Sequence, residues 1–110
     1  MNLRIFLVVS IEWMIIMLVV YYVGAYIHES VHQHIFAMYG FNSTIVLNTI
    51  NNPYTVTTTN VNMTKEDYYN MNRLNTENDI AGYNNVINEM LLGFILYFVM
   101  LKVSNDILGE

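Results

Sequence analysis

Two long apolar stretches flank a polar middle. The first runs from Leu3 to Ile27 as LRIFLVVSIEWMIIMLVVYYVGAYI. At 1.5 Å rise per residue its length suits one bilayer crossing. It is longer than the apolar region of a signal peptide, and Tyr26-Ile27-His28 is no small-residue cleavage site, so residues 1–27 read as a retained transmembrane anchor. Trp13 and the Tyr21, Tyr22 and Tyr26 group are expected at a membrane interface. Beyond Ile27 no proline interrupts the chain before Pro53. The anchor helix should therefore continue through HESVHQHIFAMY and stop at Gly40, a residue suited to the position just past a helix C-terminus.

The second apolar stretch, Ile80 to Val103, has an unbroken apolar core only from Met90 to Leu101. With its flanks it is long enough to span, and residues 86–103 read as a second membrane segment closed by Lys102. Between the two lies a small domain, residues 28–85. Its STIVLN and YTVTTTNV runs are rich in β-branched residues and are separated by Asn51-Asn52-Pro53, which predicts a β-hairpin over 43–61. Such a hairpin serves either to cover the helix or to pair an edge strand with an extended peptide. Thr64 with Asp67 three residues on forms a helix-start signature, which predicts a helix over 65–75. Thr76 and Asp79 repeat the signature, so a further helix is expected to begin there. The expected fold is a mainly α membrane protein with a long N-terminal helix, a small hairpin and an apolar C-terminal helix.

Composition sharpens this picture. Of 110 residues 55% are hydrophobic and 12% charged. A soluble chain this short cannot hide so much apolar surface in its own core, whereas a lipid bilayer can solvate it. The net charge is −5, and the few cations, Arg4, Lys65, Arg73 and Lys102, do not cluster. That argues against nucleic acid as a partner. The cations also divide almost evenly between the termini and the connecting region, so charge does not orient the chain across a membrane. No cysteine is present, which excludes disulfides, thiolate metal sites and thiol nucleophiles.

The chemistry concentrates in His28-Glu29-Ser30-Val31-His32, an HExxH pentad. On a helix the two imidazoles lie one turn apart on one face and can share a Zn²⁺. Glu29 is then placed to take a proton from a water on the metal. His34 lies about 200° around the helix from His32 and cannot easily join them. A catalytic zinc needs a third protein ligand, and the candidates are His34, Glu66, Asp67, Glu77, Asp79 and Glu89. Asp79 is the most attractive. Tyr83, four positions on, shares its helix face and suits an oxyanion donor, and Gly82 would permit close helix approach. Glu89 is the runner-up. Glu12, inside the first apolar stretch, is a costly position for an acid. It either sits protonated against Ser10 or the second helix, or serves with Glu89 in a proton-handling path.

An HExxH with a downstream acid on a second helix resembles the zincin-type metallopeptidases that take a carboxylate as third ligand. More narrowly, His28-Glu29…His32…Ile35-Phe36…Tyr39-Gly40 followed by Asn78-Asp79-Ile80…Gly82-Tyr83 is similar to small uncharacterised membrane proteins of archaea and archaeal viruses. The resemblance implies zinc as cofactor, Asp79 as third ligand and a peptide or membrane-protein substrate. It also implies glutamate where this chain has Asp79, whose arm is shorter by one bond, about 1.5 Å. The competing expectation is a non-enzymatic membrane structural or interaction protein, viral in type, with an inert HExxH.

Overall fold

The computed structural model describes residues 1–47 and 53–109. Helix α1 spans Leu3–Met38, strands β1 and β2 span Ser43–Val46 and Tyr54–Thr57, and helix α2 spans Lys65–Leu108. The fold is mainly helical, as its apolar pattern implies. Both helices are long and apolar enough to cross a membrane, and only 11% of each apolar window is buried. The chain divides into two compact units, one of Met1–Tyr22 with Asn85–Glu110 and one of Val23–Asn84.

In the first unit, Ile5 and Val9 of α1 pack against Leu101 of α2, with Tyr97 and Met100 beside them. Polar groups inside this pair satisfy one another. The Ser10 and Tyr97 hydroxyls lie 2.7 Å apart, and Trp13 Nε1–H donates to the Gly93 carbonyl at 2.7 Å. Trp13 also packs on the Phe94 and Tyr97 rings, at centroid separations of 6.1 and 5.1 Å. The indole N–H needs an acceptor in an apolar setting, and the facing helix carbonyl supplies one. Glu12 is exposed, and the Ser10 hydroxyl is paired with Tyr97.

The second unit holds the end of α1, the hairpin and the start of α2. α1 stops where the glycine allows it. Gly40 takes φ 85°, Phe41 N–H reaches back to the Phe36 carbonyl at 3.0 Å, and Gly40 N–H bonds the Ala37 carbonyl at 3.1 Å. This is the Schellman closure, and the Phe36 and Phe41 rings provide its hydrophobic contact at 6.2 Å. β1 and β2 pair antiparallel, with Thr44 opposite Val56 and Ile45 opposite Thr55. Asn51 and Asn52 of the expected turn lie outside the described residues. Gln33 of α1 donates to the Ser43 carbonyl at 3.0 Å, tying the hairpin to the helix.

α2 begins as expected, with Asp67 N–H donating to Thr64 Oγ1 at 3.1 Å. It does not end near residue 75 or restart at Thr76. It is one helix of 44 residues. Side chains that might have capped a new helix are engaged elsewhere: Glu77 pairs with Arg73 at 3.0 Å, and Asp79 reaches across to α1. A start signature inside a helix costs little once tertiary contacts hold the segment. Replacing Thr64 with alanine should cost about 1 kcal/mol. Hydrogen exchange should speed up at the Asp67 and Tyr68 amides and remain unchanged beyond the first turns of α2.

Candidate metal centre

Helix periodicity places His28 and His32 on the face of α1 that meets α2 within the second unit. α2 answers with a stripe at helical spacing, Met71, Asn75, Asn78 and Gly82, of which Met71 is buried and the others half-buried. Asn78 Nδ2–H donates to the His28 carbonyl at 3.2 Å. At Gly82 a Cβ would lie 2.7 Å from His28 Nδ1 and 2.8 Å from Cε1, so the His28 ring rests directly on the glycine backbone. That close approach is what the sequence led us to expect of Gly82.

Three atoms converge between the helices. His28 Nε2 lies 3.1 Å from His32 Nε2, and Asp79 Oδ1 lies 3.1 Å from the first and 2.8 Å from the second. Ligands held at about 2.0–2.2 Å in a tetrahedral zinc site are separated by about 3.3 Å. The triangle is thus slightly tighter than a zinc site and would open by a few tenths of an ångström to hold one.

The tautomer of His32 strengthens the fit. Its Nδ1 lies 2.6 Å from Asn75 Oδ1, an acceptor, which requires the proton on Nδ1. Nε2 of a neutral His32 then presents a bare lone pair to the Asp79 carboxylate. Either a proton on Nε2 or a metal ion between the two atoms satisfies both at this separation of 2.8 Å. An amide oxygen behind a histidine ligand is the usual kind of support that fixes ring orientation in metal sites.

Glu29 is the other acid here. His28, Glu29 and His32 bring one ligand atom each within 4.8 Å of one another, a group that could hold a metal ion. Between Glu29 and Asp79 as the third donor, the shorter distances favour Asp79. Glu29 Oε1 is 4.0 Å from His28 Nε2, and Glu29 Oε2 is engaged by the Thr55 hydroxyl at 2.6 Å. Thr55 Oγ1 is also 3.0 Å from the Glu29 carbonyl, so β2 grips both the side chain and the backbone of this residue. One carboxylate oxygen is anchored by Thr55 and the other faces His28.

The remaining candidates fall elsewhere. His34 is exposed, as its position on the helix implies. Glu66 and Asp67 occupy the first turn of α2. Glu89 belongs to the other unit, where it is half-buried. Tyr83 is 74% exposed and makes no hydrogen bond among the described residues. Thr55 and Asn75 carry no motif and were not anticipated. The only signal for Asn75 was its spacing of four residues before Asp79. Comparison with protein-family models, curated proteins and solved structures returned no match.

Proposed function

We propose that this chain is a membrane-anchored zinc metallopeptidase whose metal is held by His28, His32 and Asp79. One observation carries the reading: two imidazole nitrogens and a carboxylate oxygen meet at separations of 2.8–3.1 Å. Three protein donors leave a tetrahedral metal one position for water or substrate, the pattern of a catalytic rather than a structural site. Zinc there would supply Lewis acidity, making a water acidic enough to lose a proton near neutrality.

The chain's own residues do the rest. Glu29, anchored through Oε2 by Thr55, accepts the proton of the attacking water on Oε1 and returns it to the leaving amine. Asn75 keeps His32 in the tautomer that offers Nε2. Tyr83, on the same face of α2 as Asp79, is free to swing onto bound substrate and donate to the oxyanion. Two long helices whose apolar windows find little cover within the chain support the anchoring.

The test is metal content and proteolysis on one preparation of the full chain in detergent. Zinc should be stoichiometric. Replacing Glu29 with glutamine should keep the zinc and lower casein hydrolysis by about 10²–10⁴-fold. Equal inactivity of the parent and the glutamine variant, both zinc-loaded, would favour a structural membrane protein with an inert site.

A further inference from the structure

Beside Glu29 and His32 opens a cavity of about 360 Å³. It is lined by two aromatic rings, Phe36 and Tyr54, and by the polar groups of Asn72, Asn75, Glu29 and His32. On the premise that the site hydrolyses peptides, we infer that this cavity is its specificity pocket and takes an uncharged aromatic side chain of the substrate.

Four observations support this. First, the volume falls within the range of small-ligand sites and exceeds what one side chain needs. Second, the lining contains no lysine or arginine, and its one acid, Glu29, has an oxygen already bound by Thr55. With a divalent cation on the histidines, the carboxylates of Glu29 and Asp79 balance its charge. The pocket then offers no counter-charge to either an acidic or a basic side chain. Third, Phe36 and Tyr54 offer ring faces and edges, which suit another ring by offset or edge-to-face packing.

The fourth concerns the amides. Asn75 uses Oδ1 on His32 and has no acceptor for its Nδ2–H₂ among the described residues, and Asn72 makes no hydrogen bond there at all. Carboxamide donors left over at the edge of a cavity match the one acceptor every peptide carries next to its side chain, the backbone carbonyl. Asn75 thereby acts twice, orienting His32 and receiving the substrate backbone. Tyr54 and Thr55 are adjacent on β2, so the strand that supplies a pocket ring also anchors the general base.

The experiment uses the zinc-loaded Glu29→Gln variant of the full chain in detergent, which retains peptides uncut. Calorimetry compares acetyl-Gly-Phe-Gly-amide with the alanine, aspartate and lysine peptides of the same frame. The phenylalanine peptide should bind about tenfold or more tighter than the alanine peptide, given the apolar area a ring buries. The lysine peptide should bind no better than alanine, and the aspartate peptide, although Glu29→Gln removes one negative charge from the pocket, should bind more weakly than the phenylalanine peptide. Adding Tyr54→Ala, a change on a half-exposed strand residue, should reduce the preference to about twofold with zinc content unchanged. Equal affinity for the phenylalanine and alanine peptides, in a protein whose parent still cleaves casein, overturns the pocket and leaves the hydrolysis standing. A preference that survives Tyr54→Ala also overturns it. Zinc-loaded protein that neither cleaves casein nor binds any of the four overturns both.

Discussion

Replacing His32 with alanine should remove zinc and loosen the Val23–Asn84 unit in the same step. The expectation follows from how little else holds that unit together. Its buried hydrophobic side chains, among the described residues, are Ile35 and Met71. The hydrogen bonds between α1 and α2 there, among the described residues, join His28 and His32 with Asp79, His32 with Asn75, and the His28 carbonyl with Asn78. A unit with so small an apolar core normally needs a disulfide, a metal or a partner, and the chain has no cysteine. Zinc at one hundred times its dissociation constant would add about 2.7 kcal/mol to the folded state. Losing one of three protein ligands should weaken zinc binding by roughly 10³-fold or more, about 4 kcal/mol. Two thermal melts check this. Chelator should lower the melting temperature of the parent to that of His32→Ala, and should leave the variant unmoved. A parent melt that ignores the chelator would sink both the metal centre and its structural role.

That dependence also explains which parts of the molecule could be read from residues alone. The ends of elements were legible because each carries its own local chemistry. Gly40 takes the positive φ that ends α1, and the Thr64 hydroxyl receives the Asp67 amide that begins α2. The pentad was legible because its spacing is a helix turn, and Asp79 because it shares a helix face with Gly82 and Tyr83. Two features were not. The continuity of α2 through the asparagine-rich run Asn70–Asn88 goes against local propensity and is held by contacts to residues far away in sequence. The Thr55 grip on Glu29 spans 26 positions, and the Asn75 bond to His32 spans 43. One threonine among the five at 55–64, and one asparagine among many, carry no mark until the chain is folded. The Trp13 bond to the Gly93 carbonyl spans 80 positions and went unread for a related reason: an indole N–H takes whatever acceptor the fold brings to it.

Gly82 offers the sharpest test of the centre, because it accounts for the aspartate. An aspartate carries its carboxylate about 1.5 Å less far from the helix than a glutamate does. Here Asp79 Oδ1 still reaches both imidazoles, at 3.1 and 2.8 Å. It can do so because Gly82, one turn further along α2, lets the His28 ring lie where a methyl group would stand. Replacing Gly82 with alanine puts a Cβ at 2.7 Å from Nδ1 and 2.8 Å from Cε1, distances at which something must shift. The obstructing group is a ring held at its other end by Asp79 and His32, so either the ring rotates away from them or the helices part. Both outcomes take a donor out of the triangle. Gly82→Ala should weaken zinc binding by on the order of 10²–10³-fold, although alanine is the better helix former by about 1 kcal/mol. If the helices part, a longer arm at 79 should compensate. Gly82→Ala with Asp79→Glu should then recover at least about tenfold of the lost affinity, while Asp79→Glu alone, with the helices close, overpacks and weakens binding. Competitive titration against a zinc-sensitive dye measures all four corners of this cycle. Additive losses would mean that Gly82 and Asp79 act independently, and that the short acid reaches the histidines for some other reason.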